Sequence, residues 1–359
     1  MNDDRARALQ QHLLARAQAY FPEIGATPAQ VQLLQTSRFR ASTIYRFSLS
    51  AESLRRSLLA KAPAPNLREH MAEQTDSATK FRQEYQALAH IHAYFHGLAD
   101  ARFAAIRPLD FVADWHAIVM EEVRYPNLRD LFSKTSRLQL WSSPCDLPAC
   151  FRNAGSWLRA FHAMPRPESA APRDTTRADF VTLIAKYISY LQEAIGEEDF
   201  FRELAAHTAA AAARLPENFP LGLTHGDYAL RNLLVGPQHC VLALDTQAKW
   251  LMPIYEDLAY FLVGLVTTWP QVLSQGLVFD PQDLAKFEHE FLRGYFASET
   301  IPDRAIRLFK IKIMLLKWSA NVYRIQHGPA GLAAVRRRLM HRFYQKSLQQ
   351  LLREQEAEP

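Results

Sequence analysis

The sequence predicts an α+β chain of two lobes. Residues 1–122 read as an N-terminal helix with a small antiparallel sheet, and residues 123–359 as a mainly helical lobe. Three observations predict this. The chain has 359 residues, 48% of them apolar, more than one hydrophobic core usually organises. Short apolar runs of β type cluster between residues 31 and 62, whereas long stretches after residue 127 have helical spacing. One pair of short runs, Leu233–Val235 and Val241–Leu244, interrupts the helical part as a hairpin.

Composition excludes several classes. Aromatic residues are plentiful and no low-complexity tract occurs, so the chain reads as globular. The start, Met1-Asn2-Asp3-Asp4-Arg5, is acidic and leads into an amphipathic pattern, unlike a signal peptide. The longest strongly apolar segment, Leu258 to Trp269, is shorter than the roughly 20 residues of a bilayer span. A cytoplasmic protein is expected. Cys145, Cys150 and Cys240 are odd in number, and none is set in a Cys-x-x-Cys pair or beside a plausible histidine ligand, so free thiols and no zinc are expected. Residues 301–359 hold twelve Lys/Arg against four Asp/Glu, a surplus of eight in a chain of net charge +5. The basic character therefore belongs to the C-terminal segment, and the first three hundred residues are net acidic.

Taken in order, Asp4 to Phe21 carries Leu9, Leu13, Leu14, Ala17 and Phe21 at helical spacing, and Pro22 ends that helix. Runs at 31–34, 43–49 and 57–62 read as three successive strands. Lys61 closes the third. In the next helix Phe81, Tyr85, Leu88 and Ile91 share a face, with Glu84 beside it. Ala117 to Val123 is a further strand that runs into Arg124-Tyr125-Pro126-Asn127, where a linker between lobes would lie. Leu128, Leu131 and Phe132 mark a short helix. Trp157, Leu158 and Phe161 mark a buried helix face, with His162 as a packing residue at its end. Residues 164–176 form a Pro- and Ser-containing loop, and residues 178–213 two helices broken at Gly196. Residues 306–325 and 335–352 are basic helices whose Lys310, Lys312, Lys317, Arg324 and Arg336-Arg337-Arg338 read as solvated faces.

The hairpin carries the chemistry. An antiparallel pair returns the chain to its starting point, so Asn232, just before the first strand, and Asp245, just after the second, should meet at the open end. Asp227 lies a few residues upstream. Two carboxylates and an amide oxygen therefore converge, a set that in-line phosphoryl transfer uses as proton acceptor and Mg²⁺ ligands.

The run His225-Gly226-Asp227, four residues, Asn232, a strand and Asp245 resembles the catalytic loop and metal aspartate of the aminoglycoside phosphotransferase and choline kinase group, within the protein-kinase-like fold. That resemblance implies Asp227 as catalytic base and Asn232 and Asp245 as Mg²⁺ ligands, with His225 in support. It implies that Lys61 holds the α and β phosphates of ATP and that Glu84 holds Lys61. Glu121, Glu122 and Val123 would offer backbone groups to the adenine. Tyr255-Glu256-Asp257-Leu258-Ala259 matches the family's Asp-Leu-Ala signature, where Asp257 would brace the catalytic loop or cap its own helix. Two departures stand out. The turn between the first two strands, residues 35–42, has no glycine, leaving the hydroxyls of Ser37, Ser42 or Thr43 as substitutes for a phosphate-cradling backbone. Thr246-Gln247 follows the metal aspartate in place of an aromatic and an acid.

The expected function is ATP- and Mg²⁺-dependent transfer of the γ-phosphate to a hydroxyl of a small molecule or glycan. A silent nucleotide-binding pseudokinase or scaffold is the main alternative, and a two-carboxylate hydrolase the weaker one. The basic C-terminal segment argues for a neutral or anionic acceptor over a polyamine, and its helices offer a surface to an anionic membrane or a partner. No nucleic-acid partner is expected.

Overall fold

The computed structural model describes residues 2–39, 41–52, 54–64, 77–137, 145–167, 170–246, 248–326 and 333–356. Gln247 and residues 168–169 of the expected 164–176 loop lie outside them. The chain divides into two compact units, Met1–Tyr125 and Pro126–Pro359.

In the first unit, helix α1 (Asn2–Tyr20) aligns Ala6, Leu9, Leu13 and Ala17 on one buried stripe, the three-to-four-residue spacing of a surface helix. Leu14, expected on that face, is exposed. The stripe lies on an antiparallel sheet of β1 (Gln30–Arg38), β2 (Ser42–Ala51), β3 (Leu54–Pro63), β5 (Pro108–Val112) and β6 (Ala117–Glu121), in the order β1-β2-β3-β6-β5. In β2, burial alternates with period two, so Tyr45, Phe47 and Leu49 enter the core with Leu58 and Ala60 of β3. Helix α2 (Ser77–Leu98) buries Phe81, Ile91 and Phe95 and packs on β3, β5 and β6; a two-residue strand, β4 (Phe103–Ala104), follows it. Strand β5 is not legible in the sequence, where Pro108 and Asp110 disguise it. Asp110 accepts from His12 Nε2 at 2.9 Å and from the Tyr20 hydroxyl at 2.7 Å, which ties β5 to α1.

The second unit is helical apart from three short pairings. Its helices are α3 (Leu128–Ser133), α4 (Leu147–His162), α5 (Arg177–Ile195), α6 (Glu198–Ala212), α7 (Tyr255–Val266), α8 (Trp269–Leu273), α9 (Pro281–Phe296), α10 (Asp303–Gln326) and α11 (Ala333–Glu356). Thr176 and Asp179 form a reciprocal capping box at the start of α5. Helices α4 and α9 approach backbone to backbone: a Cβ on Gly155 would lie 2.0 Å from Phe291 O, and one on Gly294 1.9 Å from Arg152 O. Phe151 and Phe287 stack at 4.7 Å, and Phe261 and Phe291 at 4.1 Å, in the same core. Strands β7 (Ala171–Pro172), β8 (Leu221–Leu223) and β11 (Trp250–Pro253) form one small sheet in the order β7-β11-β8. β9 (Leu233–Val235) and β10 (Val241–Ala243) form the expected hairpin, with Leu233 opposite Ala243. No helix among the described residues is long and apolar enough to cross a membrane.

Two expectations are corrected here. Lys312 is not solvated: it is 4% exposed and ion-paired with the buried Glu256, because the face of α10 that carries it packs on α7. The cysteines do have a histidine beside them. Cys145 and Cys150 sit with sulfurs 3.2 Å apart, and the ligand atoms of Cys145, Cys150 and His239 all lie within 4.8 Å of one another. The hairpin turn delivers His239, a contact that spacing could not reveal.

Candidate active site

The catalytic loop owes its shape to a buried carboxylate. Asp257, 2% exposed in the first turn of α7, accepts the backbone N–H of His225 at 2.6 Å on Oδ2 and that of Gly226 at 3.0 Å on Oδ1. Two successive N–H groups can aim at one carboxylate because Gly226 has φ +83°, a conformation strained for any residue with a Cβ. This is the physical reason for glycine between His225 and Asp227. His162 Nε2 lies 3.2 Å from Asp257 Oδ2, and its Nδ1 lies 2.8 Å from the Tyr295 hydroxyl. Burial pushes the Asp257 carboxyl up, but the hydrogen bond and attraction of the His162 ring, with the hydrogen bond from the His225 backbone N–H, outweigh it, and the net direction is down.

His225 is wholly buried, and burial lowers its pKa against the pull of Asp257, Asp227 and Asp245, keeping the ring neutral. Its Nδ1 accepts the Asp227 N–H at 3.3 Å, so the proton sits on Nε2. That atom has no hydrogen-bond partner among the described residues and is enclosed by the rings of Trp157, Phe161 and Tyr228. Tyr228 in turn donates to Ala154 O at 2.7 Å, pinning the loop to α4.

Asp227 itself is about a quarter exposed. Arg231 Nη2 reaches both its oxygens at 2.6 Å, and Asn232 Nδ2 donates to Asp227 O and Oδ2, each at 2.9 Å. A carboxylate has about four lone-pair sites, and three N–H contacts occupy Asp227. The least used oxygen is Oδ1, where an incoming hydroxyl can still bond. Asn232 spends its amide hydrogens on Asp227, so its Oδ1 is the atom turned elsewhere; the hydrogen-bond pattern assigns this orientation.

Leu244 N donates to Asn232 O at 2.7 Å, so the hairpin does bring Asp245 beside Asn232. Asp245 is exposed, at φ +56°, a left-handed conformation that aspartate tolerates better than most residues. An amide oxygen and an exposed carboxylate are hard ligands of the kind Mg²⁺ takes. The donor set fits that ion.

In the first unit Lys61 Nζ lies 2.6 Å from Glu84 Oε1, both side chains about a fifth exposed. The sheet places the lysine and α2 the acid. Ser42 is buried and its carbonyl accepts the Phe39 N–H at 2.8 Å, closing a tight β1–β2 turn; Thr43 Oγ1 is buried without a partner among the described residues. The Glu121 N–H donates to Arg107 O at 3.0 Å and the Glu122 N–H to Ser57 O at 2.8 Å. The Glu122 carboxylate is ion-paired with Arg46 at 2.7 Å and Arg124 at 2.9 Å. Two of the three backbone N–H groups expected to face adenine are thus held by the sheet.

Sequence reasoning missed four residues here. Arg231 carried a signal, four positions after Asp227. His162 reads from the sequence as a packing residue, and nothing in its spacing marks it as a partner of Asp257. Tyr260 lies close enough to Asp227 and Arg231 for both charges to act on it. Lys317, read as solvated, sits 4.1 Å from the Tyr260 ring centroid.

Comparison with known proteins identifies a family and a fold. A model of the phosphotransferase enzyme family matches residues 25–305. No curated protein matches the chain. Among solved structures, a thermostable mutant of an aminoglycoside phosphotransferase, in ternary complex with AMP-PNP and hygromycin B, is 12% identical, with 95% of this chain and 100% of that one covered and a TM-score of 0.54. The Plasmodium vivax ethanolamine kinase is 12% identical over 94% and 88% of the two chains, TM-score 0.51. A macrolide 2'-phosphotransferase from Brachybacterium faecium is 13% identical over 92% and 97%, TM-score 0.51. At these identities the likeness shows the fold, and it is the kinase-like one the sequence implied.

Proposed function

Because the chain belongs to the phosphotransferase enzyme family, and is thereby a kinase of small-molecule hydroxyls, we propose that it moves the γ-phosphate of ATP to a neutral or anionic small molecule or glycan through Asp227. The hydroxyl approaches Asp227 Oδ1 and gives up its proton there. Its oxygen forms a bond to the γ-phosphorus while the bond from that phosphorus to the β–γ bridging oxygen breaks, and ADP leaves with the electron pair. Arg231 and Asn232 hold the carboxylate still, and Asp257 holds the backbone that carries it. Asn232 Oδ1 and Asp245 would bind Mg²⁺, which supplies charge neutralisation on the transferring phosphate. Lys61, kept in position by Glu84, contacts the α and β phosphates, and Val123 with the Glu121 and Glu122 carbonyls meets the adenine. Ser42 and Thr43 stand where glycines would otherwise cradle phosphate. The protein works in the cytoplasm, and the exposed Arg336, Arg337 and Arg338 of α11 offer its basic surface to an anionic membrane or partner.

The observation that carries this reading is the Asp227 carboxylate, bound by Asn232 and Arg231 on a loop whose two preceding N–H groups are captured by Asp257. That arrangement orients a base, and with the family it favours turnover over silent nucleotide binding. The test is ADP release in the presence of Mg²⁺ and a panel of alcohols. Asp227→Asn should reduce it roughly 10²- to 10⁴-fold, the usual worth of a general base, while ATP still binds and the fold is intact. Wild-type turnover by the folded variant would remove Asp227 from the mechanism.

A further inference from the structure

The catalytic loop forms one wall of a cavity of about 1040 Å³ within the second unit, through Ala229, Leu230 and Arg231. Its volume is at the upper end of what small-molecule sites occupy. Its charged lining is one-sided: Arg129, Arg231, Lys317 and Arg324 face it, and no Asp or Glu lines it among the described residues. Tyr260 and Trp269 add aromatic surface.

The four cations are not equally neutralised. Arg231 is paired with Asp227, and Arg129 lies 3.4 Å from the exposed Asp130. Lys317 and Arg324 have no carboxylate within ion-pair distance among the described residues. Lys317 is the more exposed to the consequence. Its ammonium is half-buried against the Tyr260 ring, which supplies only a weak cation–π attraction. Burial, reinforced by the charges of Arg231 and Arg324 against the pull of Asp227, lowers its pKa to about 8. Like charges grouped in a partly desolvated cavity repel one another. An occupant with anionic oxygens would relieve that repulsion, and a polycation would increase it.

We propose that this cavity is the acceptor site and that the acceptor is an alcohol bearing a phosphate or carboxylate group, bound by Lys317 and Arg324 while its hydroxyl lies at Asp227. The assignment rests on Asp227 being the base. Arg324 offers a planar fork to paired oxygens, and Lys317 a point charge to a third. The Tyr260 and Trp269 rings cover the carbon skeleton between the anionic group and the hydroxyl.

The experiment uses matched sets of alcohols: neutral, phosphate-bearing, carboxylate-bearing and polyamine-bearing. Turnover is followed by ADP release, and binding by calorimetry in the absence of ATP, for the wild type, Lys317→Met, Lys317→Glu and Arg324→Glu. Anionic members should show the highest kcat/KM, with a KM that rises with salt. Arg324→Glu and Lys317→Glu should raise that KM more than tenfold while the KM for ATP stays within about twofold. The milder Lys317→Met serves if the charge reversal unfolds the protein. The phosphate and carboxylate arms show which group the site takes. Best turnover on the polyamine set, or on the neutral set with no response to either substitution, overturns the proposal and leaves the phosphotransferase reading intact. Binding of anionic probes that Lys317→Glu abolishes, with no phosphorylation of any of them, supports the anion site and counts instead against Asp227 as their base. No binding of any anionic probe also overturns the proposal.

Discussion

Replacing Asp257 by asparagine keeps the shape of the side chain and removes one acceptor. In the native protein Oδ2 receives the His225 N–H at 2.6 Å and faces His162 Nε2 at 3.2 Å, while Oδ1 receives the Gly226 N–H at 3.0 Å. An asparagine must place its NH₂ against one of these backbone donors, whichever way it is turned. One buried charge-assisted bond of roughly 1.5–3 kcal/mol is lost, a donor is stranded, and the surviving bond becomes neutral. The sum is about 3–5 kcal/mol, a large part of the 5–15 kcal/mol that stabilises a typical domain. Urea melts should therefore show a much lower midpoint, and steady-state kinetics a kcat reduced about ten- to a hundredfold with a smaller change in the KM for ATP. The acid limb should change as well. Asp257 has a folded pKa below its ordinary 3.8, so its stabilisation is complete above 3.8 and lost as pH falls through the lower folded value; the asparagine variant has no such contribution to lose. A folded Asp257→Asn protein with wild-type urea midpoint and kcat would refute the claim that this carboxylate shapes the loop.

Lys61→Ala should lower kcat/KM for ATP by about two orders of magnitude or more in a folded protein, and Glu84→Ala by less, since the acid only positions the lysine; unchanged ATP kinetics in Lys61→Ala would exclude the phosphate contact. Gly155→Ala places a methyl 2.0 Å from Phe291 O, so α4 and α9 must separate, and a loss of about 3 kcal/mol or more is expected in a chemical melt. His341 accepts the Trp318 indole N–H at 2.9 Å, and burial, with the nearby Arg337, lowers its pKa from 6.5 to about 4. The unfolded chain takes up this proton below 6.5 while the folded one resists until about 4. Stability should fall with pH across that window, by roughly 1–2 kcal/mol after discounting for solvent screening, and His341→Gln should flatten that part of the profile.

Where the determining interactions lie close along the chain, the sequence reading and the structure agree. The Leu233–Ala243 hairpin follows from two apolar runs and a turn, and antiparallel pairing alone then carries Asp245 back to Asn232. The Lys61–Glu84 pair, which the family resemblance implied, is present as well. Leu9, Leu13 and Ala17 are a period legible at a glance. The strand Pro108–Val112 escaped the same treatment because its pairing with β6 overrides the poor strand propensity of Pro108 and Asp110.

The sequence by itself carried the kinase-like order of elements, through the family resemblance, and the expectation that Asn232 and Asp245 meet near Asp227, because these depend on local periodicity or on a fixed spacing around one loop; the need for glycine at position 226 came only from the fold, in which Asp257 captures two successive N–H groups. Tertiary structure alone decided which charges matter. Lys312, Lys317 and Arg324 share one basic helix, yet the first is buried in an ion pair with Glu256, and the other two face a cavity that Arg231, the partner of Asp227, also lines. His162 became a partner of Asp257 across 95 residues, and His239 a neighbour of two thiols, only when the backbone closed. A charge's energy depends on its solvent exposure and on its nearest opposite charge. Both are properties of distance in space, and a sequence states distance only along the chain.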